Sequence, residues 1–207
     1  MGRPRDLEKT RELALRAAAV LERDGLTISS EHLARELGIK RPTLLYHFPT
    51  HGHVVQAALT ELLLEQAAFV ETRVEKHDHP IDRLYARLRA IHEFHGGRET
   101  RLLFLSQAIA VTGGNRVQEI VSAAAALFEG ARHDMVLRIE RGIEEGIVHP
   151  VDAKALVSLL RAVIDGLTIQ RVVSPTSIPP AHELFWETVL LPLKRAPKKP
   201  NKETKLS

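Results

Sequence analysis

The sequence has no cysteine, few aromatic residues and no long apolar run. Without cysteine in 207 residues, disulfide bonds and thiolate chemistry are excluded. The charged opening, residues 1–12, lacks the apolar segment of a secretory signal, and no apolar run approaches the roughly 18 residues of a membrane span. We therefore expect a cytoplasmic protein with no membrane partner.

Signatures of catalysis are missing as well. The sequence shows no glycine-rich phosphate loop, no G-x-S-x-G elbow, no H-E-x-x-H pair and no dinucleotide fingerprint after a strand. We expect no enzyme activity, no catalytic residue and no cofactor. The aromatic content of 4% also argues against a large stacking cage for planar cationic ligands.

The net charge of +3 comes from the C-terminal tail. Residues 194–207 hold six basic residues and one acidic residue. The whole chain has 29 basic and 26 acidic residues, so residues 1–193 have 23 basic and 25 acidic residues. Net charge is therefore weak evidence for nucleic-acid binding. The tail, with two prolines among its lysines, is predicted to be disordered.

Apolar residues recur at helical spacing almost throughout, which predicts an all-α fold. In the first helix Leu7, Ala14, Ala17, Ala18 and Leu21 are predicted to share the buried face. Glycines and prolines separate the segments. The predicted helices cover residues 7–23, 29–38, 42–48, 54–76, 81–95, 99–111, 116–145, 152–173 and 181–193.

Residues 33–48 combine a tight turn with an apolar seam. Ala34 allows two helices to approach closely, and Gly38 between them tolerates a positive φ. Leu33, Leu37, Ile39 and Leu44 supply the seam. The polar flank of the third helix is then predicted to face outward: Lys40, Arg41, Thr43, Tyr46 and His47. A generic helical hairpin shares these features, so the pattern alone leaves a DNA-binding and a purely structural role open.

The segment resembles the signature of the TetR family of bacterial transcriptional regulators, from Leu13 to Leu59. The resemblance rests on Gly25, the pair Leu33-Ala34, the turn Gly38-Ile39-Lys40 and the helix Thr43 to Phe48. It implies an N-terminal three-helix helix-turn-helix domain (1–53), a larger helical effector-binding and dimerisation domain (54–193) and a basic tail (194–207). It also implies a homodimer that binds a palindromic operator in double-stranded DNA and answers to an unidentified small-molecule effector, most simply as a repressor.

Two departures from the family pattern fall on DNA-contact positions. Leu45 replaces a phosphate-contacting tyrosine, and Tyr46 follows it. His51 stands where the family has a lysine, so we expect His51 to contact phosphate in a pH-sensitive manner. The predicted DNA-binding residues are Lys40, Arg41, Thr43, Tyr46, His47 and His51, with Thr43 and Tyr46 as base readers.

The resemblance places the dimer interface on the last two long helices, where two apolar stripes need partners. The predicted interface residues are Leu156, Leu159, Leu160, Val163, Gly166, Leu167, Trp186, Val189 and Leu190. An ordinary intramolecular core is the alternative for both stripes. Effectors are expected between these helices and the DNA-binding heads, and the candidate ligand-binding residues are His92, His95, Gln107, His133 and Asp134.

Two other functions stay open on the sequence. Eleven histidines raise the possibility of a metal-sensing regulator, although only His92 and His95 have the i, i+3 spacing of one helical face, and we expect no metal site. Leu45, in place of the family tyrosine, keeps open a helical dimeric scaffold that does not bind DNA.

Overall fold

A computed structural model describes residues 6–98, 115–173 and 178–195, with only the backbone given for 115–128 and 172–173. In these ranges the chain is helical, and its only bridge of β type is an isolated one between Val148 and Lys194. The predicted all-α fold is confirmed. The helices are α1 (Leu7–Asp24), α2 (Ser30–Glu36), α3 (Arg41–His47), α4 (His51–Val74), α5 (Pro80–Phe94), α6 (Asn115–Glu144), α7 (Ala153–Val173) and α8 (Ile178–Phe185).

Short polar side chains begin the N-terminal helices. The side chains of Asp6, Ser29 and Thr50 accept hydrogen bonds from backbone amides in the first turns of α1, α2 and α4. The cap at Thr50 explains why α4 begins at His51 and not at the predicted residue 54. Otherwise the predicted ends of α1 to α3 lie within about two residues of the observed ones.

Two large apolar cores organise the described residues. The head core packs α1 to α4 together and includes Leu13, Leu21, Leu33, Leu44 and Leu59. The body core packs α5, the end of α6, α7 and α8, and includes Leu84, Leu88, Ile139, Leu160 and Leu190. Helix α4 contributes Val54 to Leu62 to the head core and then continues along α5 in the body.

The last helix differs from its prediction at both ends. Pro179 and Pro180 lie in its first turn, where a missing amide hydrogen costs little, so α8 begins at Ile178 and not at residue 181. Regular α-helix ends at Phe185, and a π-helical turn (Trp186–Leu190) follows. Pro192 then ends the helix, because it lacks the amide hydrogen that would continue it.

Two further predictions concern the burial of Leu7 and a helix over residues 99–111. Leu7, expected on the buried face of α1, is exposed at the first position of the helix. The predicted helix over residues 99–111 lies outside the described residues. None of the described helices combines the length and the apolar character that crossing a membrane would require.

The end of the described chain is fastened to the body. The amide of Arg195 donates to the carbonyl of Ile147 at 2.8 Å, and the amide of His149 donates to the carbonyl of Leu193 at 2.8 Å. Lys194 forms an ion pair with Asp82 at 2.7 Å. These contacts hold the last turn against the segment that follows α6 and against the start of α5.

Gly142 of α6 marks a close approach that yields a stability prediction. A Cβ there would lie 2.8 Å from a Val148 methyl group and 3.0 Å from the Pro80 ring. We expect Gly142→Ala to lower the free energy of unfolding by about 1 to 3 kcal/mol, as overpacking does. Urea unfolding measures the change.

Gly130→Ala is the matched control, because it lies on the same helix with nothing within 4 Å of its added Cβ. Helix propensity should make that change neutral or stabilising by up to about 1 kcal/mol. Equal unfolding midpoints for the two variants would contradict the packing described.

Candidate nucleic-acid interface and effector region

The turn between α2 and α3 has the geometry that the sequence predicts. Gly38 has φ +68°, its amide donates to the carbonyl of Arg35, and the amide of Ile39 donates to the carbonyl of Ala34, both at 3.0 Å. This double closure is a Schellman motif, which satisfies the last carbonyls of α2. Arg16 of α1 donates to the carbonyl of Leu37 and fixes the turn from behind.

The seam of the two helices is buried, and one flank of α3 faces outward. Leu33, Leu37 and Leu44 are each at most 2% exposed, and Ile39 packs against them. Four of the predicted DNA-binding residues are exposed, as expected: Lys40, Arg41, Thr43 and Tyr46. The side chain of Pro42 also faces outward between Arg41 and Thr43.

The predicted outward position of His47 is wrong, because the residue is buried against α1. Its Nδ1 lies 2.7 Å from the hydroxyl of Thr10, and that hydroxyl donates to the carbonyl of Asp6 at 2.9 Å. With its one proton used, the hydroxyl accepts a hydrogen bond from Nδ1 of His47. His47 therefore connects the last turn of α3 to the first turn of α1.

The predicted phosphate contact of His51 is also contradicted. Its Nε2 lies 2.7 Å from the carbonyl of Leu26, to which it donates, and its Nδ1 is buried with no hydrogen-bond partner among the described residues. The ring thus faces the connection between α1 and α2. His51 fastens that connection to α4 and leaves no ring nitrogen for phosphate.

Two of the ligand candidates, His92 and His95, are buried at the end of α5. Nδ1 of His92 lies 2.8 Å from Nε2 of His182 on α8, with the rings stacked at 4.9 Å. Nε2 of His92 donates to the carbonyl of Ile164 on α7 at 3.1 Å. Because Nε2 carries the proton of neutral His92, Nδ1 accepts a hydrogen bond from His182.

Burial keeps this histidine pair neutral near pH 7. Burial, and after it the charges of His92 and Arg89, lower the pKa of His182 to about 4. Burial also lowers the pKa of His92, and the nearby charge of Arg171 acts in the same direction. The pair is therefore a hydrogen-bonded contact between neutral rings at three converging helices.

His95 has a different partner. Its Nε2 lies 2.8 Å from Oε1 of Gln66 on α4. Phe94 beside it belongs to the head core and lies 5.3 Å from the ring of Phe69. The last turn of α5 thus contacts α4, α7, α8 and the head core.

The other ligand candidates do not join this group. His133 and Asp134 are exposed on α6, where Asp134 pairs with Arg138 at 2.7 Å and lines a small cavity together with residues of α4 and α5. Gln107 lies outside the described residues. In residues 6–98, 115–173 and 178–195, no three histidine or carboxylate side chains lie close enough together to hold a metal ion.

The predicted interface residues divide between the inside and the outside of the subunit. Leu156, Leu160 and Leu190 belong to its own core, so the prediction is wrong for these three. Leu159 and Gly166 are exposed, and four others are half-buried: Val163, Leu167, Trp186 and Val189. Three other apolar residues in this part of the chain are exposed: Ile169, Leu184 and Leu191.

The inward position of His51 predicts its behaviour on substitution. His51→Ala removes one hydrogen bond and should lower the free energy of unfolding by about 1 kcal/mol. The salt dependence of binding to duplex DNA should keep its slope, since no phosphate contact is lost. Fluorescence anisotropy with labelled duplex DNA between 50 and 200 mM salt gives the binding constants from which this slope is obtained.

Arg41→Ala is the comparison, because an exposed arginine on α3 that contacts phosphate should reduce that slope by about 1. A similar reduction in His51→Ala would restore His51 as a phosphate ligand.

Comparisons with known proteins identify the family of this chain. The model of the C-terminal domain of BetI-type transcriptional repressors matches residues 80–185, just over half of the chain. No curated protein matches the chain. Among solved structures, the TetR family transcriptional regulator PfmR from Thermus thermophilus has a TM-score of 0.66 at 19% identity, covering 88% of this chain and 99% of its own.

Two further solved structures share the fold. The multidrug-binding protein EbrR, complexed with imidazole, has a TM-score of 0.65 at 24% identity, covering 96% of each chain. AibR, in complex with isovaleryl coenzyme A and operator DNA, has a TM-score of 0.59 at 14% identity, covering 90% of this chain and 98% of its own. Together with the match of the C-terminal domain, they lead to one assignment: the chain belongs to the TetR family of transcriptional regulators.

Proposed function

We propose that the chain is a ligand-responsive repressor that binds a palindromic operator as a homodimer. The observation that carries this proposal is the polar, exposed flank of α3 on a closed helix-turn-helix with a buried seam. Such a helix fits the major groove of B-form DNA, and two copies on a two-fold axis read two half-sites. AibR, which shares the fold, was solved with operator DNA.

Base reading and backbone contact fall to different residues of α3. Thr43 and Tyr46 lie one turn apart on the exposed flank and are the proposed base readers. Lys40 and Arg41, at the start of the helix, are the proposed phosphate contacts, and Arg41 can also bind guanine if it reaches a base edge. His47 and His51 have no part in contact: His47 holds α3 against α1, and His51 holds the connection between α1 and α2 against α4.

Dimer formation is proposed through the outer face of α7 and α8. Leu159 and Ile169 on α7 are 46% and 62% exposed, and Leu184 on α8 is 62% exposed. The small residues Ala155, Ala162 and Gly166 lie on the same outer face of α7 and allow another helix to come close. A second copy of this face would cover the apolar area.

The proposed response to effector runs through the end of α5. His92 contacts α7 and α8, while Phe94 and His95 contact the head core and α4. An effector between these helices would change the spacing of the two heads by moving α4. A shift from 1:99 to 99:1 requires about 5.5 kcal/mol of differential binding, so several of these contacts must change together.

A footprint on the DNA upstream of the gene tests the function. We expect protection of a near-palindromic site whose half-sites are about 34 Å apart. Thr43→Ala should cost about 1 to 3 kcal/mol and relax the preference at one base pair, whereas Arg41→Ala should weaken binding to all sequences alike.

Arg132→Ala is the control, because the side chain of Arg132 on α6 is 44% exposed and pairs with Glu129, and the variant should bind as the unchanged protein does. If the protein protects no DNA site in the footprint, the alternative of a helical dimeric scaffold that does not bind DNA would be favoured.

The interface is tested by a pair of matched substitutions. Leu159→Glu introduces a charge on the outer face of α7 and should shift the protein to monomer in sedimentation experiments, because an unpaired charge would be buried on association. Leu137→Glu on α6 is the control, since Leu137 is 47% exposed and Leu159 is 46% exposed. Dimers of unchanged stability in Leu159→Glu would place the interface elsewhere.

A further inference from the structure

Helix α1 contacts the helix-turn-helix at two points, one on each side of α3. Before α3, the guanidinium of Arg16 donates to the carbonyl of Leu37 at the turn. At the other end, the hydroxyl of Thr10 lies 2.7 Å from Nδ1 of His47 in the last turn of α3. Because Thr10 and Arg16 are about 9 Å apart along α1, this one helix holds both ends of α3.

The hydroxyl of Thr10 is part of a chain of hydrogen bonds. It donates its single proton to the carbonyl of Asp6 at 2.9 Å, so it accepts from Nδ1 of His47. Asp6 is the cap of α1, and its carboxylate accepts from the amide of Lys9 at 3.1 Å. The chain therefore connects the first turn of α1, which is fixed by its own cap, to the ring of His47.

The ring of His47 also contacts the ring of Tyr46. The two centroids lie 5.2 Å apart at an interplanar angle of 86°, the edge-to-face arrangement that aromatic pairs prefer. His47 is 7% exposed, whereas Tyr46 is 45% exposed. A buried ring that is held by α1 thus supports the exposed ring that is the proposed base reader.

We propose that Thr10 is a positioning residue for operator recognition: by holding the ring of His47, it sets the direction in which Tyr46 meets the base edges. This role rests on the proposed function. An exposed tyrosine has several staggered rotamers, and a fixed neighbouring ring favours one that keeps the edge-to-face contact. Base reading needs such order, because a hydrogen bond weakens steeply when its distance or angle is wrong.

Base preference and general affinity should respond differently to loss of this chain of bonds. The proposed phosphate contacts, Lys40 and Arg41, are exposed at the start of α3 and lie more than one turn before His47. They take no part in the bonds between Asp6, Thr10 and His47. Loss of the Thr10 hydroxyl should therefore leave the phosphate contacts in place and relax only the reading of the base pair that meets Tyr46.

Thr10→Val tests the role, because it removes the hydroxyl and keeps the branched shape. His47 then loses its acceptor, and the preference at one base pair should fall about three- to tenfold. Fluorescence anisotropy measures this preference with the duplex that the footprint protects and with its single base-pair variants. Affinity for a duplex of scrambled sequence and the salt slope should stay unchanged. A melting curve confirms that the variant is folded at the temperature of these measurements.

Thr60→Val is the matched control. Thr60 is also half-buried, and its hydroxyl donates to the carbonyl four residues earlier, that of Gln56, at 2.9 Å. Because this bond lies within α4, its loss should leave the base preference unchanged. Equal losses of preference in Thr10→Val and Thr60→Val would overturn the proposal.

Thr10→Ser is the rescue, since serine keeps the hydroxyl. We expect it to read bases as the unchanged protein does. A folded serine variant with the relaxed preference of Thr10→Val would show that the hydroxyl is not the group that matters.

Tyr46→Ala tests the last step, from the ring of His47 to the base. If Thr10 acts through Tyr46, adding Thr10→Val to Tyr46→Ala should cause no further loss, and both single changes should relax the same base pair. Additive losses, or losses at different base pairs, would overturn the proposal.

These outcomes separate the role of Thr10 from the function. A protein that protects no DNA would remove the proposed function and the role of Thr10 with it. A protein that protects a site, and whose Thr10→Val variant keeps every base preference, would retain the function and lose this role alone.

Discussion

The structure depends on one helix that belongs to two packing environments. Helix α4 has 24 residues and is about 36 Å long at 1.5 Å per residue. Its first turns bury Val54 and Leu62 in the head core, where dispersion and apolar burial hold it. Its later turns meet α5 through a small apolar cluster around Val70, Val74 and Ala90 and through polar contacts, of which Gln66 with His95 at 2.8 Å is buried. Apolar burial therefore dominates the attachment of α4 to the head, whereas its attachment to the body combines a small apolar cluster with directional bonds.

Apolar packing and directional bonds differ in how they respond to a displacement. Apolar packing resists small displacements because a gap of even a methylene group is costly. A hydrogen bond or ion pair is lost over less than 1 Å and is replaced readily by water or by a ligand. We therefore expect a displacement that begins in the body to break the polar contacts along α5 before it opens the larger head core. We therefore expect the head and the first turns of α4 to move together.

The sequence was sufficient for the helix-turn-helix because its determinants are local. Gly38, Ala34 and the seam leucines act within a few residues of one another, and the structure has the turn that they predict. The burial of His47 was also readable, because it lies three residues after Leu44 on the same face of α3. His51 gave no such signal, since its partner Leu26 lies 25 residues earlier in the chain.

The body was harder to predict for a physical reason. Helix α7 is apolar on two faces, one with Leu156 and Leu160 and the other with Leu159 and Ile169. Periodicity finds both faces but does not say which one meets the subunit's own core, because that depends on helices elsewhere in the chain. The same limit applies to His92, whose partners Ile164 and His182 are 72 and 90 residues away.

The balance of contacts around α4 also bounds what an effector must do. Solvent-exposed ion pairs such as Arg73 with Glu93 contribute only about 0 to 1 kcal/mol each, so breaking one of them leaves most of the coupling intact. The buried bond between Gln66 and His95 costs more to open, because both groups would lose their partner away from water. An effector that only screened charge would therefore fall short of the roughly 5.5 kcal/mol of a full switch. One that also shifts the last turn of α5 changes the charged, the buried polar and the Phe94 contacts in a single movement.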